Sequence, residues 1–328
     1  MLGSAVTAAT LGTSVPAWRA VVYGGMLATL PDLDILLDHG DPVLNMTLHR
    51  GSSHALFWLT LASPMMALAI AGAHRERPLF RRWWLAVWLT FVTHAMLDAL
   101  TIYGTRLWLP FDEKPVSIGS LFIIDPLYTL PLTFGSVALL VARGRPFGRR
   151  WNYWGIVLST LYAAWSLGAQ LHLDGIARSA LKRQGIAANK VIVSPAPLQT
   201  VLWRVVAIAD NGQTAYEGFT SLADDDEPIE FLAIERRLAL LDELSQIPAV
   251  QQLRSFADDC VKAVAVEDEA FVVDLRMGAE PSYAFTFLVA RRGSDDSWQP
   301  VAPTERRPVA VSDGQNLSWL WRRMWGER

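Results

Sequence analysis

The chain has 328 residues, 52% of them hydrophobic, with 14 Trp and a formal net charge of −3. Its mean hydropathy of +0.23 is too apolar for an ordinary soluble protein. The weakly negative charge gives no basic field, so nucleic acid is not an expected partner. A lone cysteine, Cys260, excludes an intrachain disulfide.

Charge is unevenly spread along the chain. Residues 1–175 hold 12 Lys/Arg and 10 Asp/Glu, whereas residues 176–328 hold 17 and 22. The break predicts an apolar domain over 1–175 and a small α+β domain over 176–328. The first part opens with a short apolar stretch at 2–15. Ala17–Leu37, Ala55–Ala73, Trp83–Leu100, Leu121–Ala142 and Tyr153–Leu173 follow, each near the ~20 residues that a bilayer core requires. Five such segments in succession predict an α-helical transmembrane bundle of five to six helices. No basic stretch precedes the first segment, so a cleaved signal peptide is not expected.

Loop charge predicts an orientation. Arg19, the group Arg75, Arg77, Arg81 and Arg82, and the group Arg143, Arg145, Arg149 and Arg150 mark three cytoplasmic connections. Loops 38–54 and 101–120 then face outward. The count places 176–328 on the non-cytoplasmic side, although Arg178, Lys182 and Arg183 argue against it.

Ionisable residues at the edges of these apolar segments are functional candidates, because a buried charge is costly without a role. Asp32 and Asp34 close one segment, His49 and His54 precede the next, His94 and Asp98 close the third, and Asp125 opens the fourth. With alternating helices, all of them fall at one end of the bundle, where facing side chains commonly build metal sites. His94 and Asp98 share a helix face at i,i+4 and can reach one ion, or else form a buried structural pair. His49 and His54 suit a loop running into a helix start, with Ser52 or Ser53 as N-cap, and Arg50 between them is a fork for an anionic group. Asp32 and Asp34 would point apart on a regular helix, but an irregular backbone at Pro31 could aim both inward. Asp125 before Pro126 also reads as an N-cap. Tyr103-Gly104-Thr105-Arg106 and Lys114 could hold an anion. No phosphate loop, Gly-x-Ser-x-Gly elbow or cysteine cluster is present.

In the second part, Val191–Val193, Val201–Ala209 and Tyr216–Thr220 read as strands, with Asn211-Gly212 as a hairpin turn. Glu235–Leu244 and Val250–Ala257 read as helices. Val261–Val266, Phe271–Arg276 and Tyr283–Val289 return to strand character. Asp224–Glu227 reads as a solvated acidic turn, and Asn316–Arg328 as a short amphipathic helix carrying Trp319, Trp321 and Trp325.

The blocks PDLD at 31–34, DPV at 41–43, LHRGSSHALF at 48–57, THAMLDALTIYGT at 93–105, WLPF at 108–111 and FIIDPLYTLPL at 122–132 stand out together. Taken together they resemble the YdjM-type, LexA-regulated, inner-membrane-associated metal-dependent hydrolases. STLYAAWSL at 159–167, LWRVVA at 202–207 and DLRMG at 274–278 extend the resemblance through the rest of the chain. That family is distantly similar to zinc-dependent phospholipase C and related nucleases, and the resemblance implies Asp32, His49, His54, His94 and Asp98 as metal ligands. Relatives carry a Thr-Gln or Thr-His pair before the segment matching Leu2–Gly12. Here either the start lies upstream of Met1 or the site lacks one polar contributor.

The expected function is a membrane-bound hydrolase holding a divalent metal, zinc by its ligand types, and acting on a phosphoester of a lipid or envelope precursor near the outer face. Asp34 or Asp125 would serve as general base, and Arg50 would orient an anionic substrate. The rival is a non-catalytic membrane protein with a structural metal or polar network, whose second domain binds a partner or senses stress. The bilayer and an anionic small molecule or lipid are the expected partners. A transporter is disfavoured, because no inverted repeat is visible.

Overall fold

A computed structural model describes residues 1–224, 228–307 and 317–326. Its helices are α1 (Leu2–Leu11), α2 (Ala17–Thr29), α3 (Pro42–Leu48), α4 (Leu56–Ala73), α5 (Phe80–Ala99), α6 (Pro126–Val141), α7 (Pro146–Arg183), α8 (Leu238–Glu243), α9 (Pro248–Phe256) and α10 (Leu317–Met324). The strands are β1 (Ala188–Pro195), β2 (Leu202–Ala209), β3 (Thr214–Ser221), β4 (Leu232–Glu235), β5 (Val261–Val266), β6 (Glu269–Asp274), β7 (Gly278–Ala279), β8 (Ser282–Tyr283), β9 (Thr286–Arg292) and β10 (Trp298–Arg306). Two compact units emerge. The first is residues 1–36 with 49–167, and the second is 37–48 with 168–328.

The expected bundle of five to six membrane helices is not what forms. Among the described residues, α4 alone is long and apolar enough to cross a bilayer, with a mean hydropathy of 1.7. The reasons lie in local chemistry. Pro31 disfavours helix at the residue before it, so the segment read as Ala17–Leu37 stops at Thr29 and turns into a 3-10 helix over Pro31–Leu36. Asp125 and Pro126 cap the next such segment, so its helix starts only at Pro126. At 1.5 Å per residue, α1, α2 and α6 reach about 15, 20 and 24 Å, short of a ~30 Å hydrocarbon core. α5 begins with Phe80-Arg81-Arg82 and ends with His94 and Asp98, and the apolar run of α7 is diluted by Asn152, Ser159, Thr160 and Ser166. The orientation expected for 176–328 falls with the bundle, because it alternated side by side across five spans.

The first unit packs α1, α2, α4 and α5 around Leu11, Leu27, Leu59, Trp83, Val87 and Phe91. Backbones approach closely where side chains are absent. A Cβ on Gly24 would lie 2.3 Å from the Gly3 carbonyl oxygen, and one on Gly155 would lie 2.5 Å from that of Pro131. Polar groups tie the helices together: Thr7 bonds Thr90 at 2.8 Å, and the Asn152 amide donates to the Ala5 carbonyl at 3.0 Å. Much of the outer surface is apolar, including Met65, Leu68, Leu130, Phe134, Val141, Phe147 and Trp165.

The second unit contains two four-stranded antiparallel sheets, ordered β1-β2-β3-β4 and β10-β9-β6-β5. Every residue of β2 is buried, because both of its faces are covered. Trp203 and Val205 pack on Ala169, Leu173 and Ala177 of α7, while Val206 and Ile208 pack with Cys260 and Leu275. α3 belongs here too. The Asp41 carboxylate caps it through the Val43 N–H at 2.8 Å and accepts from the Thr304 N–H at 2.7 Å and hydroxyl at 2.9 Å. Against the sequence reading, β4 and β10 are additional strands, and α8 starts at Leu238 because Glu235 pairs with Thr214 in the sheet. Residues 225–227 of the acidic turn lie outside the described residues.

Candidate metal centre

All residues of the candidate site belong to the first unit. The 3-10 turn Pro31–Leu36 presents Asp32 and Asp34 in different directions. Asp34 turns toward the loop before α4. Its Oδ1 lies 2.6 Å from His49 Nδ1, and its Oδ2 accepts the Arg50 N–H at 3.0 Å and the Ser53 hydroxyl. Arg50 sits in the left-handed region at φ 59°. The surroundings hold it there, since its N–H is bound by Asp34 and its carbonyl accepts the Arg106 N–H at 3.0 Å. This fold of the loop delivers the fully buried His54 beside α5.

Among the described residues, one group of metal-ligating side chains converges: Asp32, His54, His94 and Asp98. One ligand atom from each lies within 4.8 Å of all the others. His54 Nε2 is 3.2 Å from Asp32 Oδ1, 3.1 Å from Asp98 Oδ2 and 3.2 Å from His94 Nε2. His94 Nε2 is 3.5 Å from Asp32 Oδ1 and 3.3 Å from Asp98 Oδ2. A tetrahedral zinc ion with bonds of about 2.0–2.1 Å has ligand-to-ligand edges of about 3.3–3.4 Å. Five of the six edges here run from 3.1 to 3.5 Å. Asp98 Oδ2 is moreover buried with no hydrogen-bond partner, an arrangement that costs free energy unless a cation faces it. Distances, donor types and the orphaned oxygen therefore fit a divalent ion.

The neighbours set the protonation that such an ion needs. The Asp34 carboxylate only accepts, so the Ser53 hydroxyl donates to it and in turn accepts from His54 Nδ1 at 2.9 Å. That chain leaves the His54 Nε2 lone pair aimed at the cluster, which is the tautomer a ligand requires. Asp98 is fixed from its other side. Its Oδ1 lies 3.1 Å from Arg50 Nη2, while Arg50 Nη1 donates to Thr101 Oγ1 at 3.1 Å and the guanidinium rests 5.2 Å from the Tyr103 ring.

The field of the cluster favours positive charge. Burial pushes Asp32 up, but hydrogen bonds from His54 and His94 outweigh it and hold the carboxyl well below the usual carboxylate range. Burial pushes His54 down, but Asp32 and Asp98 outweigh that and raise it above the ordinary histidine value. Asp34 is likewise held low: burial opposes this, and the hydrogen bonds from His49 and Ser53 prevail.

A cavity of about 280 Å³ adjoins the cluster. Asp32, His94, Asp98 and Thr101 line one part, Asp125, Tyr128 and Thr129 another, and Leu97, Leu121, Phe122, Ile123 and Leu132 supply apolar wall.

The structure thus gathers Asp32, His54, His94 and Asp98, and places the other expected residues around them. His49 binds Asp34 rather than joining the four. Arg50 is buried against Asp98. Asp125 caps α6, accepting from the N–H groups of Leu127 at 2.9 Å and Tyr128 at 3.2 Å and from the Tyr162 hydroxyl at 2.9 Å. Arg106 and Lys114 do not line the cavity. Tyr128, Thr101 and the linking role of Ser53 escaped the sequence reading. Ser53 was visible there only as a helix cap, and Tyr128 only as one letter of the FIIDPLYTLPL block.

A helical unit that gathers an Asp/His/His/Asp group able to hold a metal ion, and that exposes many apolar side chains, fits a membrane-associated protein. The chain belongs to the YdjM inner membrane protein family, whose sequence model matches residues 1–173. It is 29% identical over 163 residues to the uncharacterised protein YfhP of Bacillus subtilis (strain 168), covering 47% of this chain and 46% of YfhP. It is 30% identical over 129 residues to the inner membrane protein YbcI of Escherichia coli (strain K12), covering 37% of this chain and 73% of YbcI. The chain therefore spans about half the length of YfhP. No solved structure matches it.

Proposed function

We propose that the chain is a membrane-associated, metal-dependent hydrolase that cleaves a phosphoester in a lipid or an envelope precursor. The observation that carries this reading is the convergence of Asp32, His54, His94 and Asp98 on one point, with an orphaned Asp98 oxygen and an adjoining cavity. A bound zinc ion would polarise a phosphoryl oxygen and lower the pKa of a coordinated water toward about 7.

The residues divide the work. His54, His94 and Asp98 form the buried side of the site, and the Asp32 side chain, 44% exposed, marks the face open to water and substrate. Asp34, through Ser53, fixes the His54 ring, and Arg50 neutralises the far oxygen of Asp98. Both oxygens of Asp34 and of Asp125 are already occupied by donors. We therefore assign these two carboxylates to positioning rather than to proton abstraction, and Arg50 to holding Asp98 rather than to the substrate. Hydrolysis adds water: a bond forms from its oxygen to phosphorus, the ester P–O bond breaks, and the departing alkoxide takes up a proton. Family membership and the exposed Ile35, Leu36, Ile123 and Ile124 beside the site support a substrate presented at a lipid surface.

The test is a phosphoesterase assay of the full chain with and without added zinc. Turnover that needs the metal and disappears in His94→Ala and His54→Ala supports the reading. Stoichiometric metal with no turnover on any lipid phosphoester would instead favour a structural ion.

A further inference from the structure

We infer that the cavity selects a phosphodiester carrying a single negative charge over a doubly charged monoester, and that the Tyr128 hydroxyl donates a hydrogen bond to the substrate there. The inference rests on the hydrolase reading and narrows its substrate. It begins with charge. Enzymes that take a phosphomonoester need cations around its peripheral oxygens, because two negative charges in a partly dry site are costly to leave unpaired. Among the described residues, no lysine or arginine side chain lines this cavity. Its ionisable walls are the carboxylates Asp32, Asp98 and Asp125 with His94. A divalent ion would offset the first two, leaving little positive field for a second substrate charge. Arg50, the nearest guanidinium in the loop before α4, is already paired with Asp98.

The uncharged polar groups are Tyr128 and three threonines; Thr29 and Thr101 already donate their hydroxyls to the carbonyls of Gly25 and Asp98, and Tyr128 has a longer reach than Thr129. It lines the cavity, and its hydroxyl makes no hydrogen bond to any described residue. Burial pushes the phenol up to about 12, so near neutral pH it keeps its proton and can donate. Its place is fixed from below, since its own N–H is bound by the Asp125 cap at the start of α6. An uncommitted neutral donor in the wall of the cavity that Asp32, His94 and Asp98 also line suits a substrate oxygen whose charge is already largely met. The wall beside it is apolar, with Leu97, Leu121, Phe122 and Leu132. At about 280 Å³ the space falls just below the ~300–1,000 Å³ of drug-sized pockets. It accommodates the phosphoryl group with one short substituent rather than a bulky headgroup.

The experiment compares two probes with the same leaving group, methyl 4-nitrophenyl phosphate (one charge) and 4-nitrophenyl phosphate (two charges), on the zinc-loaded full chain. The diester is expected to show a kcat/KM about tenfold or more above that of the monoester, the difference one unpaired charge makes in such a site. Tyr128→Phe should keep the bound metal and lower kcat on the diester about tenfold. Ile123→Lys, which adds a cation to the wall, should shift the preference toward the monoester. As a readout independent of turnover, calorimetric titration should show dimethyl phosphate binding more tightly than inorganic phosphate, with Tyr128→Phe weakening the former. A metal-loaded enzyme that prefers the monoester, or a Tyr128→Phe variant unchanged in both kcat and binding, overturns this inference while leaving the hydrolase reading intact. Absence of both metal and turnover would overturn the two together.

Discussion

The two units each bury a cluster of charged side chains, and the clusters are built on opposite principles. In the second unit, Arg204 Nε donates to Glu217 Oε1 at 2.6 Å, and Glu217 Oε2 accepts the Glu280 N–H at 2.9 Å. Lys262 meets Glu280 at 2.5 Å, and the Tyr283 hydroxyl donates to the same carboxylate at 3.2 Å. Each short contact joins a donor to an acceptor, and one guanidinium nitrogen, Arg204 Nη2, is left over. In the first unit, two imidazole nitrogens and two carboxylate oxygens crowd one point, and the leftover atom is an acidic oxygen. A network closed on itself explains its own burial. One that converges on a point and leaves a buried acidic oxygen over suits a cation, and the sign of the leftover atom separates the two clusters better than burial does.

That contrast can be broken in a graded series. His94→Ala should abolish stoichiometric metal binding, measured by elemental analysis, while leaving a folded chain by circular dichroism. Arg50→Met and Glu217→Gln each strand a buried charge and should each cost about 3–5 kcal/mol of stability in denaturant titrations. They should differ in consequence, because Arg50→Met disturbs Asp98, one of the four residues proposed to hold the ion, whereas Glu217→Gln leaves metal content unchanged as long as the chain stays folded. Asp34→Asn and Ser53→Ala remove the acceptor chain behind His54 and should weaken metal affinity about 10–100-fold in competition with a chelator. The smallest effect belongs to Asp125→Ala, which removes a helix cap and should cost about 1 kcal/mol, read as a lowered melting temperature with metal retained.

How much of this was legible in the sequence depended on the kind of signal. The pairing of His94 with Asp98 follows from i,i+4 spacing on one helix, and the strand over residues 201–209 from an unbroken apolar run. The membrane bundle misled because hydropathy windows ran through Pro31 and across Asp125-Pro126, where the backbone stops being helical. The divergent fates of Asp32 and Asp34 were hidden because a 3-10 turn, rather than a helix or a strand, sets their directions. Nor could spacing separate His49 from His54, since which of the two joins the cluster is decided by the left-handed Arg50 between them and by Asp34 from a distant turn. The docking of residues 37–48 in the second unit rests on Asp41 with Thr304, a pairing 263 residues apart that no local pattern announces.

The central claim is that Asp32, His54, His94 and Asp98 hold a divalent ion. The most direct measurement is calorimetric titration of zinc into the chelator-stripped full chain, with X-ray absorption on the loaded protein. The account predicts one ion per chain, bound through nitrogen and oxygen ligands at about 2.0–2.1 Å with no sulfur, and no such binding in His94→Ala. A folded wild-type chain that takes up no stoichiometric zinc, or binds it equally well without His94, would contradict it.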